Sequence, residues 1–169
     1  DNGKYLGNDE NPYLVLFDTV NTNIETCEIH EDTKIISSRA FYYCYKIETL
    51  IIPETVTFIG DSAFLNCSSL TSIILPSNLT IINNNTFSGC TNLTNINIHE
   101  NITKIGQYAF KNCTNLTSII IKNSVENIEY GAFTGCSNLT IYCEIIEKPE
   151  GWNSSWNPNN RPVEWGYNE

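Results

Sequence analysis

The sequence predicts a solenoid, mainly β, built from stacked 23-residue turns, and three observations predict it. The phrase Ala/Thr-Phe-x-x-Cys recurs at Phe41/Cys44, Phe64/Cys67, Phe87/Cys90, Phe110/Cys113 and Phe133/Cys136, always at the same spacing. Five copies with no slip mark a repeat in which each unit is one structural turn stacked on its neighbours. Apolar residues fall into columns at the same period: Ile24, Ile47, Leu70, Leu93, Leu116 and Leu139; then Cys27, Leu50, Ile73, Ile96 and Ile119; then Ile29, Ile52, Leu75, Ile98 and Ile121. The last two columns are offset by two positions, the spacing of the core face of a strand. Val56, Leu79, Ile102 and Val125, then Ile36, Ile59, Ile82, Ile105 and Ile128, complete the interior with the five Phe. Burial inside one turn stabilises less than ordering its backbone costs, so no turn folds alone and each needs its neighbours.

Residues 1–23 lie outside the repeat phase and read as an N-terminal cap. Tyr13-Leu14-Val15-Leu16-Phe17, after the turn-prone Asn11-Pro12, reads as a strand covering the open end of the first turn. Ahead of it, Asp1 to Glu10 is polar and reads as loosely held. The solenoid is placed at residues 24–148. Its first copy is the most worn, with Thr33 where later turns have Val, Leu or Ile. After it, residues 149–169 hold all three tryptophans, Trp152, Trp156 and Trp165, among Pro and Asn. These read as a lid over the last turn. A carbohydrate platform on the same Trp side chains is a remote alternative.

The phrases L-x-x-I-x-L, a Pro at the strand's end, V-x-x-I-G and A-F-x-x-C together closely resemble the BspA-like leucine-rich repeats found in surface proteins of bacteria and some parasitic protists. The resemblance covers about residues 24–148. It implies a leucine-rich repeat solenoid of five repeats with parallel strands on a concave face, an extended return and a short helical turn near each Phe. It also implies cell-surface adhesion, with host or neighbouring-cell surface or matrix proteins as partners, and carries over no catalytic residue. The Trp/Pro-rich tail resembles the closing segment of Firmicutes-type members.

Charge narrows the partners further. Lys and Arg number 9 against 19 Asp and Glu, a formal net charge of −10. Such a surface repels nucleic-acid phosphates and anionic membranes. No apolar run is long enough to cross a bilayer. The chain begins at Asp1 and contains no Met, which reads as a removed leader or a piece of a longer protein. Its richness in Asn and Ile suits an A/T-rich genome and a bacterial source. Sequons at Asn66, Asn78, Asn92, Asn101, Asn112, Asn115, Asn138 and Asn153 follow largely from the repeat's own phrase.

Seven Cys invite a disulfide or metal reading, and phase answers it. Cys44, Cys67, Cys90, Cys113 and Cys136 share one phase and stack as a ladder about 5 Å apart, pointing the same way rather than at each other. None has the C-x-x-C spacing of a zinc site, so the ladder reads as small buried hydrophobes. Cys143 points inward if the last strand has lost one residue. His30 and His99 occupy the phase of Pro53 and Pro76, read as surface loop, and sit three turns or roughly 14 Å apart, too far to share a metal. No Ser-His-Asp or Cys-His set can be assembled, so the chain reads as a non-enzyme without cofactor or metal.

What remains for function is the outward side of the strands. Its rows read Glu25, Glu48, Thr71, Thr94, Thr117; then Thr26, Thr49, Ser72, Asn95, Ser118; then Glu28, Ile51, Ile74, Asn97, Ile120. Small hydroxyls make a flat floor, and Ile51, Ile74 and Ile120 an apolar stripe that fits a protein or peptide ligand. The expected binding set is Glu48, Thr49, Ile51, Thr71, Ser72, Ile74, Thr94, Asn95, Asn97, Thr117, Ser118 and Ile120. Tyr42, Tyr43 and Tyr45 read either as further contacts or as packing for the cap. An extracellular or cell-surface adhesion module is the first reading; an intracellular or structural scaffold without its own ligand is the alternative.

Overall fold

The computed structural model describes residues 2–19 and 21–168; Asp1, at the start of the polar stretch, and Val20 and Glu169 lie outside the described residues. The chain winds as a parallel β-solenoid of about seven turns. Thirteen strands are described: β1 Gly3–Leu6, β2 Val15–Thr19, β3 Ile35–Ile36, β4 Thr49–Ile51, β5 Phe58–Ile59, β6 Ser72–Ile74, β7 Ile81–Ile82, β8 Asn95–Ile96, β9 Lys104–Ile105, β10 Ser118–Ile121, β11 Asn127–Ile128, β12 Thr140–Cys143 and β13 Val163–Trp165. One wall is the concave face, in two parallel ladders, β4-β6-β8 and β10-β12-β13. The return wall holds β1-β2-β3-β5 and β7-β9-β11. Register follows the repeat, with Leu50 opposite Ile73 and Ile73 opposite Ile96, so each apolar column becomes a continuous buried line.

The parallel pairing runs past both ends of the regular repeat. At the start, β2 stacks on β3 through Val15 and Leu16, and β1 closes the edge as an antiparallel partner of β2. Gly3–Leu6 is therefore a strand, not a loosely held segment. At the other end, β13 adds to the concave sheet beside β12. The Trp residues explain how the C-terminal end closes. Trp152 and Trp156 are buried, and the Trp152 indole N–H donates to the Val125 carbonyl at 3.0 Å. Trp156 stands one full repeat after Phe133 and meets that ring edge-on at 5.8 Å. With two of the three indoles inside the lid, a three-Trp carbohydrate platform does not form; Trp165 alone is partly open.

The third wall carries the Phe and Cys columns, and here the expected short helical turn is replaced. No helix is assigned among the described residues. Two residues per turn instead take positive φ at fixed phase: Arg39 and Tyr43, Ser62 and Asn66, Asn85 and Gly89, Tyr108 and Asn112, Gly131 and Gly135. A left-handed residue at every fourth position cannot belong to a right-handed helix. It turns its N–H toward the next turn. Arg39, Phe41 and Tyr43 donate to the carbonyls of Asp61, Ala63 and Leu65, while Ala40, Tyr42 and Cys44 close three-residue turns on Ser37, Arg39 and Phe41. The same division recurs at Phe64 and Phe87. Asn and Gly alternate at Asn66, Gly89, Asn112 and Gly135 for a second reason: a Cβ at Gly89 would collide with the Asn66 amide oxygen.

The five Phe rings stack at 5.2 to 5.6 Å with interplanar angles of 15° or less. All seven Cys are free and buried. They do more than fill space: Cys67, Cys90, Cys113 and Cys136 each aim the thiol at the carbonyl of the Phe one turn back, at 2.9 to 3.2 Å. Burial pushes the Cys90 thiol up to about 12 and holds it neutral. The worn first turn leaves a mark in the core, because the Thr33 hydroxyl is fully buried without a partner among the described residues.

Candidate binding face

The concave ladder collects its outward side chains from levels one repeat apart. Glu48, Thr49, Ile51, Thr71, Ser72, Ile74, Thr94, Asn95, Asn97, Thr117 and Ser118 are exposed on it, and Ile120 is half-buried. Strand alternation sets this arrangement, since Leu50, Ile73 and Ile119 between them point into the core. Ile51 and Ile74 stand opposite each other in β4 and β6, 85% and 73% exposed. Thr71 and Thr94 are less free to bind than their exposure suggests. Their hydroxyls donate to the Glu48 and Thr71 carbonyls at 3.0 and 3.1 Å, within the ladder. What they present outward is mostly methyl.

The apolar stripe is shorter than the expected Ile51, Ile74 and Ile120. Asn97 interrupts it, and Ile120 pairs with Tyr142 of β12, whose ring leans on Tyr167 at 4.9 Å. Tyr142 and Glu164 continue the outward row at this end. The sequence reading missed both. Tyr142 falls one position short of a full repeat after Ile120, so the shortening of the last turn was the available signal.

The two ends of the face differ in charge. At the far end Lys122 is matched by Glu144 at 2.8 Å, and the Lys122 hydrogen bond pulls the Glu144 carboxyl below its ordinary value. At the near end Glu25, Glu28 and Glu48 make no ion pair among the described residues. The backbone edge of this first level is closed by side chains from the N-terminal segment. Asn2 donates to the Thr26 carbonyl at 2.7 Å, and the Tyr5 hydroxyl donates to the Glu28 carbonyl and accepts from the His30 amide. A shallow hollow of about 510 Å³ opens between the first two levels, with Glu28, Thr49, Ile51 and Pro53 in its walls.

The remaining polar candidates do not converge. His99 is buried, not a surface loop residue. Its Nδ1 accepts from the Asn101 amide at 3.3 Å, which leaves Nε2–H to donate to the Pro76 carbonyl at 3.0 Å. His30 stacks on Tyr13 with ring centroids 3.7 Å apart. Tyr42, Tyr43 and Tyr45 are each roughly two-fifths exposed, and Tyr45 donates to the Asn23 side chain at the cap. Among the described residues no group of three or more His, Cys, Asp or Glu could hold a metal ion, and no helix is long and apolar enough to cross a membrane.

A family profile described as the BspA-type leucine-rich repeat region matches residues 17–140 in six copies, one more than the five repeats read from the Phe-x-x-Cys phrase. No curated protein matches the chain. Among solved structures, it is similar to the leucine-rich repeat protein of T. pallidum, with 21% identity, TM-score 0.79, and coverage of 98% of this chain and 80% of that one. A leucine-rich cell surface protein of Faecalibacterium prausnitzii shares 30% identity at TM-score 0.67, covering 86% of this chain and 36% of that chain. The pneumococcal vaccine antigen PcpA shares 18% identity at TM-score 0.71, covering 92% and 45%. The chain thus spans less than half the length of the latter two.

Proposed function

The chain belongs to the BspA-type leucine-rich repeat family, and from that premise we propose that it is a non-enzymatic protein-binding module of the adhesion type, exported or held at a cell surface, which docks a protein or peptide on its concave strand face. The observation that carries this reading is the pair Ile51 and Ile74, two β-branched side chains left 85% and 73% exposed on the adjacent strands β4 and β6. Each could be polar at no cost to the core, because both point away from it, and adjacent exposed apolar groups on a rigid surface favour protein contact. The short side chains of Thr49, Thr71, Ser72 and Thr94 on the strand side of the pair allow close approach. The surface address draws on two similar structures, one described as a cell surface protein and one as a vaccine antigen.

The test is binding of the purified chain to immobilised matrix and host-surface proteins, beside the double variant Ile51→Glu, Ile74→Glu. The proposal expects a saturable interaction that the variant loses. Equal binding by both proteins would move the docking surface elsewhere.

A further inference from the structure

Resting on that reading, we propose that the partner presents a short segment in which two neighbouring apolar side chains are accompanied by Lys or Arg, with the apolar pair seated on Ile51 and Ile74 and the cations directed at the N-terminal end of the face. The polarity of the face is the ground for it. In the outward row Glu28 stands one repeat before Ile51, on a level that forms no strand, and Ile74 one repeat after it, on the neighbouring strand. Glu28 and Ile51 share the walls of one hollow, and Glu25 and Glu48 line a second of about 400 Å³ beside it.

These three carboxylates have no ion-pair partner among the described residues. Lys46 borders the second hollow, so the local balance is three negative charges to one positive. Beyond Ile74 the face carries no charge through Thr94, Asn95, Asn97, Thr117 and Ser118; at its far end Lys122 is already bound by Glu144, and Glu164 adds a single carboxylate against the three at the near end. An anionic ligand would meet three unscreened Glu at the near end and, at the other, Glu164 beside a neutralised cation. A cationic ligand gains attraction that falls off within about a Debye length of 8–10 Å, so its Lys or Arg must sit close to the apolar anchor. At about 3.3 Å per residue of extended chain, that places the cation within about two to three positions of the apolar pair.

The experiment pans a displayed library of random dodecapeptides on the full chain, on Ile51→Ser/Ile74→Ser and on Glu25→Gln/Glu28→Gln/Glu48→Gln. All the substituted side chains are exposed, and none forms an ion pair among the described residues. The expected result is enrichment of peptides carrying Lys or Arg within about two to three positions of an apolar pair. Their affinity should fall at least about tenfold on the Gln variant, and should weaken with added salt on the unsubstituted chain. Peptides that lose binding on the Ser variant but hold it on the Gln variant, or that carry no cationic bias, would overturn the charge inference while leaving the concave docking reading intact. Enriched peptides that bind the Ser variant as well as the unsubstituted chain would overturn the docking reading itself. Absence of any enrichment would overturn the proposal of a short apolar and cationic segment.

Discussion

The Phe/Cys wall and the concave strand face are laid down by the same 23-residue repeat, yet only the first is copied closely from turn to turn. On the Phe/Cys wall each interior ring stacks on its copies above and below, so Phe64 must accept Phe41 and Phe87 at once, and Cys90 must find the Phe64 carbonyl. A change in one copy disturbs three levels. On the concave face the outward side chains meet solvent, and the row Glu28, Ile51, Ile74, Asn97, Ile120 drifts in charge and polarity without affecting the core. The difference teaches where this chain can carry individuality: the fold constrains the inner columns, and the outward rows are free to be set by a partner.

The sharpest way to break this contrast is to truncate one residue on each wall. Phe87→Ala removes the central ring of the stack and should cost roughly 3–5 kcal/mol in urea unfolding, whereas Ile74→Ala should stay within about 0.5 kcal/mol. Comparable losses would mean that the concave stripe is structural after all.

Alkaline titration probes the same wall. Cys90 has its thiol raised from an ordinary value near 9 to about 12 by burial, so its folded form binds the proton more tightly than its unfolded form. The stability from this source is fully present below about pH 9 and is lost as pH rises toward 12. Unfolding free energy measured from about pH 8 to 11 should decline, and Cys90→Ala should lower it at the start of that range while reducing the slope. An unchanged slope in the variant would remove the buried thiol as the cause.

Smaller effects come from the worn first turn. Thr33→Val replaces an orphaned buried hydroxyl with the residue found at Val56 and Val125, and should stabilise by about 1 kcal/mol. Tyr43→Asn places at φ 60° a residue that tolerates the left-handed region, as at Asn66 and Asn112, and should stabilise by about 0.5 kcal/mol. Destabilisation by the Tyr43 change would show that the ring, with Tyr42 packed edge-on against it at 4.5 Å, does more for the fold than the strain takes away.

The contrast also explains what could be read in advance. Periodic columns were legible because core contacts constrain residue type, so the strands, the Phe stack and the buried Cys ladder all follow from phase. The positive-φ positions were not, since Arg39 and Tyr43 occupy them in the first turn and hide the Asn/Gly alternation that follows. His99 shares its phase with Pro76, which is also buried, yet a polar ring satisfied by Pro76 and Asn101 leaves no hydrophobic signature in a sequence. On the candidate face the exposed rows were readable from strand alternation. Tyr142 and Glu164 required the shortened last turn and the strand contributed by the Trp-rich segment, and neither repeats anything.

The most direct test of the contrast between the two walls is to follow Ile51→Glu/Ile74→Glu through urea unfolding and surface binding in one experiment. The expected result is an unfolding midpoint indistinguishable from that of the unsubstituted chain together with lost binding. A lowered midpoint, or full binding at an unchanged midpoint, would contradict it.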